Sequence, residues 1–320
     1  MMALTLGELY ASPDHYLHSF DGDAAVFVPM DRAAYHRSIF LDGRISPAAD
    51  GELRVPLAAL GHAPKPLPTA WIFHVAHCGS TLLARALDQV ASNLVLREPL
   101  ALRQSAIRPN PGRLALVAAM VSKRYRADAA TIVKANVPVN FLLPDLAAFD
   151  PDARAIFLHL GLRDYLLAIL RSNNHREWLA RVTGQLSPYL GDMSGWSDAR
   201  RAAALWLAQT RAFAGAIAAM PQARSLNAEL FFADPRAVLR AATTHFGVAM
   251  AHEAIDRCIA GPLFATYSKN PDMAFDNDVR IARRDALAGT IEAELVEAET
   301  WVGDGAMTAE AALTKAGLIE

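Results

Sequence analysis

The sequence predicts an α/β protein with a parallel sheet covered by helices on both faces, a small β-containing N-terminal extension and a helical C-terminal part. Three observations carry this. From Ala70 onward, short apolar runs alternate with stretches of helical periodicity. A turn of small residues, His77-Cys78-Gly79-Ser80-Thr81, joins the first apolar run to the first helix. Residues 1–66 lack that alternation, and Gly61 to Pro68 reads as a proline-marked linker. Two regions follow: residues 1–66 as the extension and 67–320 as the main domain.

In the extension, Ala24 to Val28 and Ser38 to Leu41 read as short strands. They are set among Asp-Gly turn pairs at Asp21-Gly22, Asp42-Gly43 and Asp50-Gly51. In the main domain, Ala70 to Ala76 is a buried strand and Gly79 to Gln89 a helix. Leu94 to Leu96 is a strand ending at Arg97-Glu98-Pro99, and Leu114 to Arg124 a helix. Thr131 to Lys134 is a strand and Asn140 to Phe149 a helix. Ala155 to His159 is a strand followed by a helix from about Arg163. Residues 173 to 220 read as helical, with Ser197-Asp198 capping a long helix through Ala219. Ser225 to Asn227 is a last strand. Asp234-Pro235 opens a helix, as N-cap and first helical residue, that ends near Phe246-Gly247. Residues 276 to 300 carry the spacing of one amphipathic surface helix.

Composition bounds the function. A hydrophobic fraction of 53% with 20% charged residues supports a buried core rather than disorder. A net charge of −2 excludes a wholesale electrostatic grip on nucleic acid and leaves room for a local basic pocket. Cys78 and Cys258 are the only cysteines and lie too far apart in sequence for metal-ligand spacing, so free thiols in a reducing compartment are expected. No leader pattern or membrane-length apolar run is evident, and a soluble cytoplasmic protein is the expectation.

Strand, small-residue turn and helix start make an anion cradle. Amides of the first helical turn have no partner within the helix, and the helix dipole adds positive charge there. Gly79 offers close approach to the backbone, Ser80 and Thr81 offer hydroxyls, and Cys78 reads as a packed loop residue rather than a nucleophile. The turn departs from the ATP-binding pattern G-x-x-x-x-G-K-[ST]. With Gly79 as its second glycine, His74 and Ser80 stand at the first Gly and the Lys, and only Thr81 fits. Ligands of parallel sheets bind at the carboxyl ends of strands. Residues 77–81, Glu98, Lys134 and the segment after His159 all fall there. Glu98 suits a general base and Lys134 a cation for developing charge, and a salt bridge between them is the structural alternative. His74 reads as a core histidine, and Asp198 and Asp234 as helix caps.

These segments together resemble the sulfotransferase family, a branch of the P-loop fold. The loop text is Ala76-His-Cys-Gly-Ser-Thr-Leu-Leu83, against the family's P-[RK]-S-G-[ST]-T-L-L. The remaining text is Arg97-Glu98-Pro99, Val133 to Pro138, Phe149 to Ile156, Asn227 to Pro235 and His245 to Val248. The resemblance spans about residues 70 to 250. It implies a three-layer αβα P-loop nucleotide-binding fold and a transferase that moves a sulfuryl group from 3′-phosphoadenosine 5′-phosphosulfate to a hydroxyl or amine without a metal. It gives Cys78, Gly79, Ser80, Thr81 and Leu82 to the donor's 5′-phosphate, His77 and Lys134 to the transferring group, and Glu98 to the base. His77 replaces the family's loop cation. Leu160 and Ala168 stand where the family grips the 3′-phosphate with Arg and Ser, so Arg163, Arg171, Ser172 and the late Lys269 become the candidates. Two other readings share the scaffold: a kinase or nucleotidase using ATP or GTP with Mg²⁺, and a non-catalytic nucleotide-binding relative. The partners expected are a nucleotide donor and a small-molecule or conjugate acceptor, with neither nucleic acid nor membrane.

Overall fold

The computed structural model describes residues 4–319 except positions 90, 92 and 130, and of Pro271 the backbone alone. The N-terminal residues form an antiparallel three-stranded sheet, in order β1 (His15–Asp21), β2 (Ala24–Pro29), β3 (Leu53–Pro56). Only β2 coincides with an expected strand. Residues 38–41 are not a strand. They run beside the end of a central strand, with Leu41 N–H donating to Arg97 O at 2.7 Å and Leu100 N–H to Leu41 O at 3.2 Å.

The central sheet has five parallel strands: β4 (Thr69–His74), β5 (Val95–Arg97), β6 (Thr131–Lys134), β7 (Ala155–His159) and β8 (Ala223–Asn227), in spatial order β5-β6-β4-β7-β8. Every residue of β4, β5 and β6 is buried. A strand buried along its whole length has both faces covered, which is why these strands read as unbroken apolar runs. Register sets the site: Arg97 pairs with Lys134 across β5 and β6, and Lys134 with Ile72 across β6 and β4. Glu98, one residue past β5, therefore stands beside Lys134, and its N–H donates to Lys134 O at 2.8 Å.

Helices connect the strands, with boundaries that differ from the expectations. The helix after β4 is Ser80–Ala86, shorter than Gly79 to Gln89. Leu100–Ile107 is an additional helix before Pro111–Val121, which starts and ends three residues early. Val137–Leu142 is a 3-10 turn preceding the helix Leu143–Phe149. The Asp198–Ala219 helix is capped by the Ser197 hydroxyl, and Asp234 caps Pro235–Phe246. A short hairpin, β9 (Thr266–Tyr267) with β10 (Asn270–Ala274), follows a further helix, His252–Ala260. The segment expected as one helix over 276–300 is two, Asn277–Thr290 and Glu292–Val302, meeting at the buried Ile291, and a last helix, Met307–Lys315, follows. One continuous core joins extension and main domain, from Tyr16 and Phe27 through Trp71 and Phe157 to Leu295. No helix is long and apolar enough to cross a membrane among the described residues.

Candidate functional site

The turn after β4 is bent by its backbone. Ala76 has φ 79°, His77 φ 51° and Gly79 φ 79°, all in the left-handed region. Only glycine adopts that region cheaply, so two non-glycine residues there store strain in the loop. A Cβ at Gly79 would stand 2.9 Å from Phe232 Cζ. Glycine is thus required twice, for φ and for the aromatic ring packed against it. Glu98 is the third such residue, with φ 57°.

A cavity of about 680 Å³ opens over this turn. His77, Cys78, Gly79, Ser80, Thr81 and Leu82 form one wall; Leu160, Ala168, Arg171, Ser172 and His175 form another. The hairpin supplies Tyr267 and Lys269, and the helix Asn277–Thr290 supplies Arg280, Arg283 and Arg284. Arg85 donates to Ser268 O at 2.9 Å, pinning the hairpin over the turn. The charged lining is five cations, Arg171, Lys269, Arg280, Arg283 and Arg284, against the carboxylates Asp164 and Glu229. Glu229 takes Arg280 in a bidentate pair at 2.9 and 2.7 Å, and Asp164 takes Arg284 at 2.9 Å. Arg283 has no ion pair or hydrogen bond among the described residues. Phe232 and Phe275 stand 5.9 Å apart at the apolar end, Tyr267 meets Phe275 edge-on at 5.4 Å, and Arg280 lies 4.3 Å over the Phe232 ring.

Thr81 is 1% exposed, and its hydroxyl has no hydrogen-bond partner among the described residues. An unpaired buried hydroxyl costs roughly 1–3 kcal/mol, which a ligand acceptor would recover. Cys78 is buried, its thiol donates to Leu158 O at 3.7 Å, and burial raises its pKa. It packs the turn as a thiol. His74 is a core residue whose Nδ1 accepts from the Ala76 N–H at 3.0 Å.

Glu98 and Lys134 do not line the cavity. They form an ion pair in which Lys134 is fully buried and the Glu98 side chain 16% exposed. Burial pushes the Glu98 pKa up, and the charges of Lys134 and Lys269 outweigh that, leaving it below the usual carboxylate range. Lys269 connects the two halves of the site. Its residue as a whole is exposed, yet its ammonium lies 5.9 Å from the ring of buried Phe40, and Lys134 Nζ lies 5.8 Å from the same ring. Burial and the neighbouring Lys134 push the Lys269 pKa down. Arg163 points elsewhere: its guanidinium is held by Glu292 at 2.7 Å and Glu299 at 3.0 Å, outside the cavity lining. Among the described residues no group of three His, Cys, Asp or Glu side chains is placed to hold a metal ion.

Sequence reasoning did not single out Phe232, Phe275, His175 or the arginines at 280, 283 and 284. The arginines had a signal: their spacing places all three on one helix face. Phe40 had none, because the extension reaches the site only through tertiary packing.

No family model matches the chain, and no curated protein matches it. Two solved structures are similar. The sulfotransferase domain from the curacin biosynthetic pathway has a TM-score of 0.44 and 14% identity, over 61% of this chain and 79% of that one. A sulfotransferase from Alicyclobacillus acidocaldarius has a TM-score of 0.39 and 16% identity, over 73% of this chain and 95% of that one.

Proposed function

We propose that the protein is a sulfotransferase-like transferase that binds a nucleotide phosphosulfate in the cavity over residues 77–82 and passes its sulfuryl group to a hydroxyl or amine. The observation that carries this reading is the buried, unpaired Thr81 hydroxyl in a cavity whose charged lining is mainly cationic. A phosphate ester supplies both the missing acceptor and the missing negative charge. The aromatic end formed by Phe232, Tyr267 and Phe275 suits a base, with Arg280 already stacked on Phe232.

The donor, when bound, supplies the activated sulfur–oxygen bond. The residues 78–81, with the Ser80 and Thr81 hydroxyls, hold its 5′-phosphate. Lys269, which lines the cavity, neutralises charge as the S–O bond to phosphate breaks and the S–O or S–N bond to the acceptor forms, and Lys134, buried behind Glu98, holds that carboxylate in place. Glu98, ionised at neutral pH, takes the acceptor's proton, and Lys134 remains hydrogen-bonded to it throughout. With Leu160 and Ala168 in the wall, a 3′-phosphate would rest on Arg171, Ser172 and the unpaired Arg283.

Thermal unfolding with adenosine 3′,5′-bisphosphate at about a hundred times its Kd should raise Tm by about 5 °C, from a binding contribution of about 2.7 kcal/mol. No shift at millimolar ligand, or a shift only with ATP and Mg²⁺, would overturn the donor assignment.

A further inference from the structure

The inference rests on the anion-binding reading above and concerns how the site acquires its charge. Two imidazoles meet in the cavity wall: the ring of His77 lies 4.4 Å from that of His175 and 5.5 Å, edge-on, from Trp178. Their nitrogens are committed differently. Arg171 Nε and Nη2 approach His175 Nε2 at 3.0 and 2.8 Å, and a guanidinium only donates, so Nε2 accepts. The proton of neutral His175 therefore sits on Nδ1 and is donated to Ser172 Oγ at 2.6 Å. Both nitrogens of His175 are used, and the tautomer is fixed. His77 has no hydrogen bond among the described residues, so its nitrogens stand free at the cavity. A proton entering this pair goes to His77.

The charged and titratable groups acting on His77 come from every element around it: His74 from β4, Arg171 from the turn after Leu162–Ile169, His175 from Asn173–Gln185, and Lys269 from the hairpin. All are cations or imidazoles. The lining carboxylates Asp164 and Glu229 are already bound to Arg284 and Arg280. Burial first, and then these positive neighbours, hold His77 neutral in the free protein. An arriving anion reverses the sign of that field. One unit charge at about 4 Å is worth about three pKa units at an effective dielectric constant of 20.

We propose that His77 takes up a proton as the anionic ligand binds, so that the cation of this loop exists only in the occupied site. Where the family's loop carries permanent charge, this chain loads the charge with its ligand. Affinity then falls as pH rises, by about tenfold per unit between the free and the liganded pKa of His77.

The test is calorimetric titration of the full chain with adenosine 3′,5′-bisphosphate at several pH values from 5.5 to 7.5, in buffers of differing ionisation enthalpy. The buffer dependence reads the protons taken up per ligand. Wild type should take up more protons than His77→Asn, with the difference rising toward one per ligand at pH values between the free and the liganded pKa of His77; asparagine tolerates the left-handed backbone at this position. His77→Arg should bind without that uptake, with an affinity that stays flat from pH 6.5 to 8.5. Equal proton numbers for wild type and His77→Asn would overturn the inference and leave the donor reading standing. No binding by wild type would overturn the donor reading itself.

Discussion

At the scale of single residues, the site keeps polar groups in states that only a ligand or a partner charge makes favourable. Thr81 is the clearest case, because its buried hydroxyl contributes nothing to the free protein. Thr81→Val should leave Tm unchanged or slightly higher, since an unsatisfied group is replaced by an apolar one of similar shape. The same variant should weaken nucleotide affinity about tenfold or more by titration. Glu98 behaves in the opposite way. Its folded pKa is depressed, so it contributes stability above the unfolded carboxyl pKa, and that contribution is lost as pH falls through the folded value. Glu98→Gln keeps the same backbone strain at φ 57° and removes the charge. Thermal melts should show it less stable than wild type at pH 7, with the gap closing below about pH 4.5. If Glu98 is the base, the variant's transfer rate should also fall about 100-fold or more.

At the scale of elements, much of the central sheet was legible in the sequence. β6 and β7 match their expected spans, because a short strand buried on both faces leaves an unbroken apolar run. β1 and β3 were not legible. The residues of β1 alternate irregularly in burial, and β3 is nearly all exposed with no buried residue. The split at Ile291 was hidden for a different reason: helical periodicity continues through it, and only tertiary packing fixes the break. The strained turn was half legible. Gly79 read as a point of close approach to the backbone, whereas the left-handed conformation of Ala76 and His77 carries no compositional sign. Gly79→Ala should cost roughly 1–2 kcal/mol from backbone strain alone. The clash with Phe232 adds to it, and urea unfolding should read the sum.

At the scale of the whole molecule, the extension is part of the site's architecture. Arg97 is 1% exposed, and its guanidinium donates to Ser38 O, Tyr35 O and His36 O while pairing with Asp88 at 2.8 Å. Asp88 also takes Arg32 and His36, so one buried carboxylate ties two side chains of the extension to Arg97 of the sheet. That tie holds Phe40 against Lys134 and Lys269. Arg97→Met should therefore destabilise the protein by about 3 kcal/mol in urea, because it removes one of the charge partners of Asp88 and leaves the Tyr35, His36 and Ser38 carbonyls without their donor. The sequence brought the turn, Glu98, Lys134 and Lys269 into view as residues at strand ends and in a late basic loop. It did not reveal the arrangement of charge among them: Lys134 locked on Glu98, Arg163 drawn away by two glutamates, and His175 set beside His77. Those depend on contacts between residues dozens to more than a hundred positions apart. The most direct test of the central claim is a crystal structure of the protein grown with adenosine 3′,5′-bisphosphate. The account predicts the 5′-phosphate on the amides of residues 78–81 and the Thr81 hydroxyl, with the base between Phe232 and the hairpin. A ligand bound elsewhere, with that turn vacant, would contradict it.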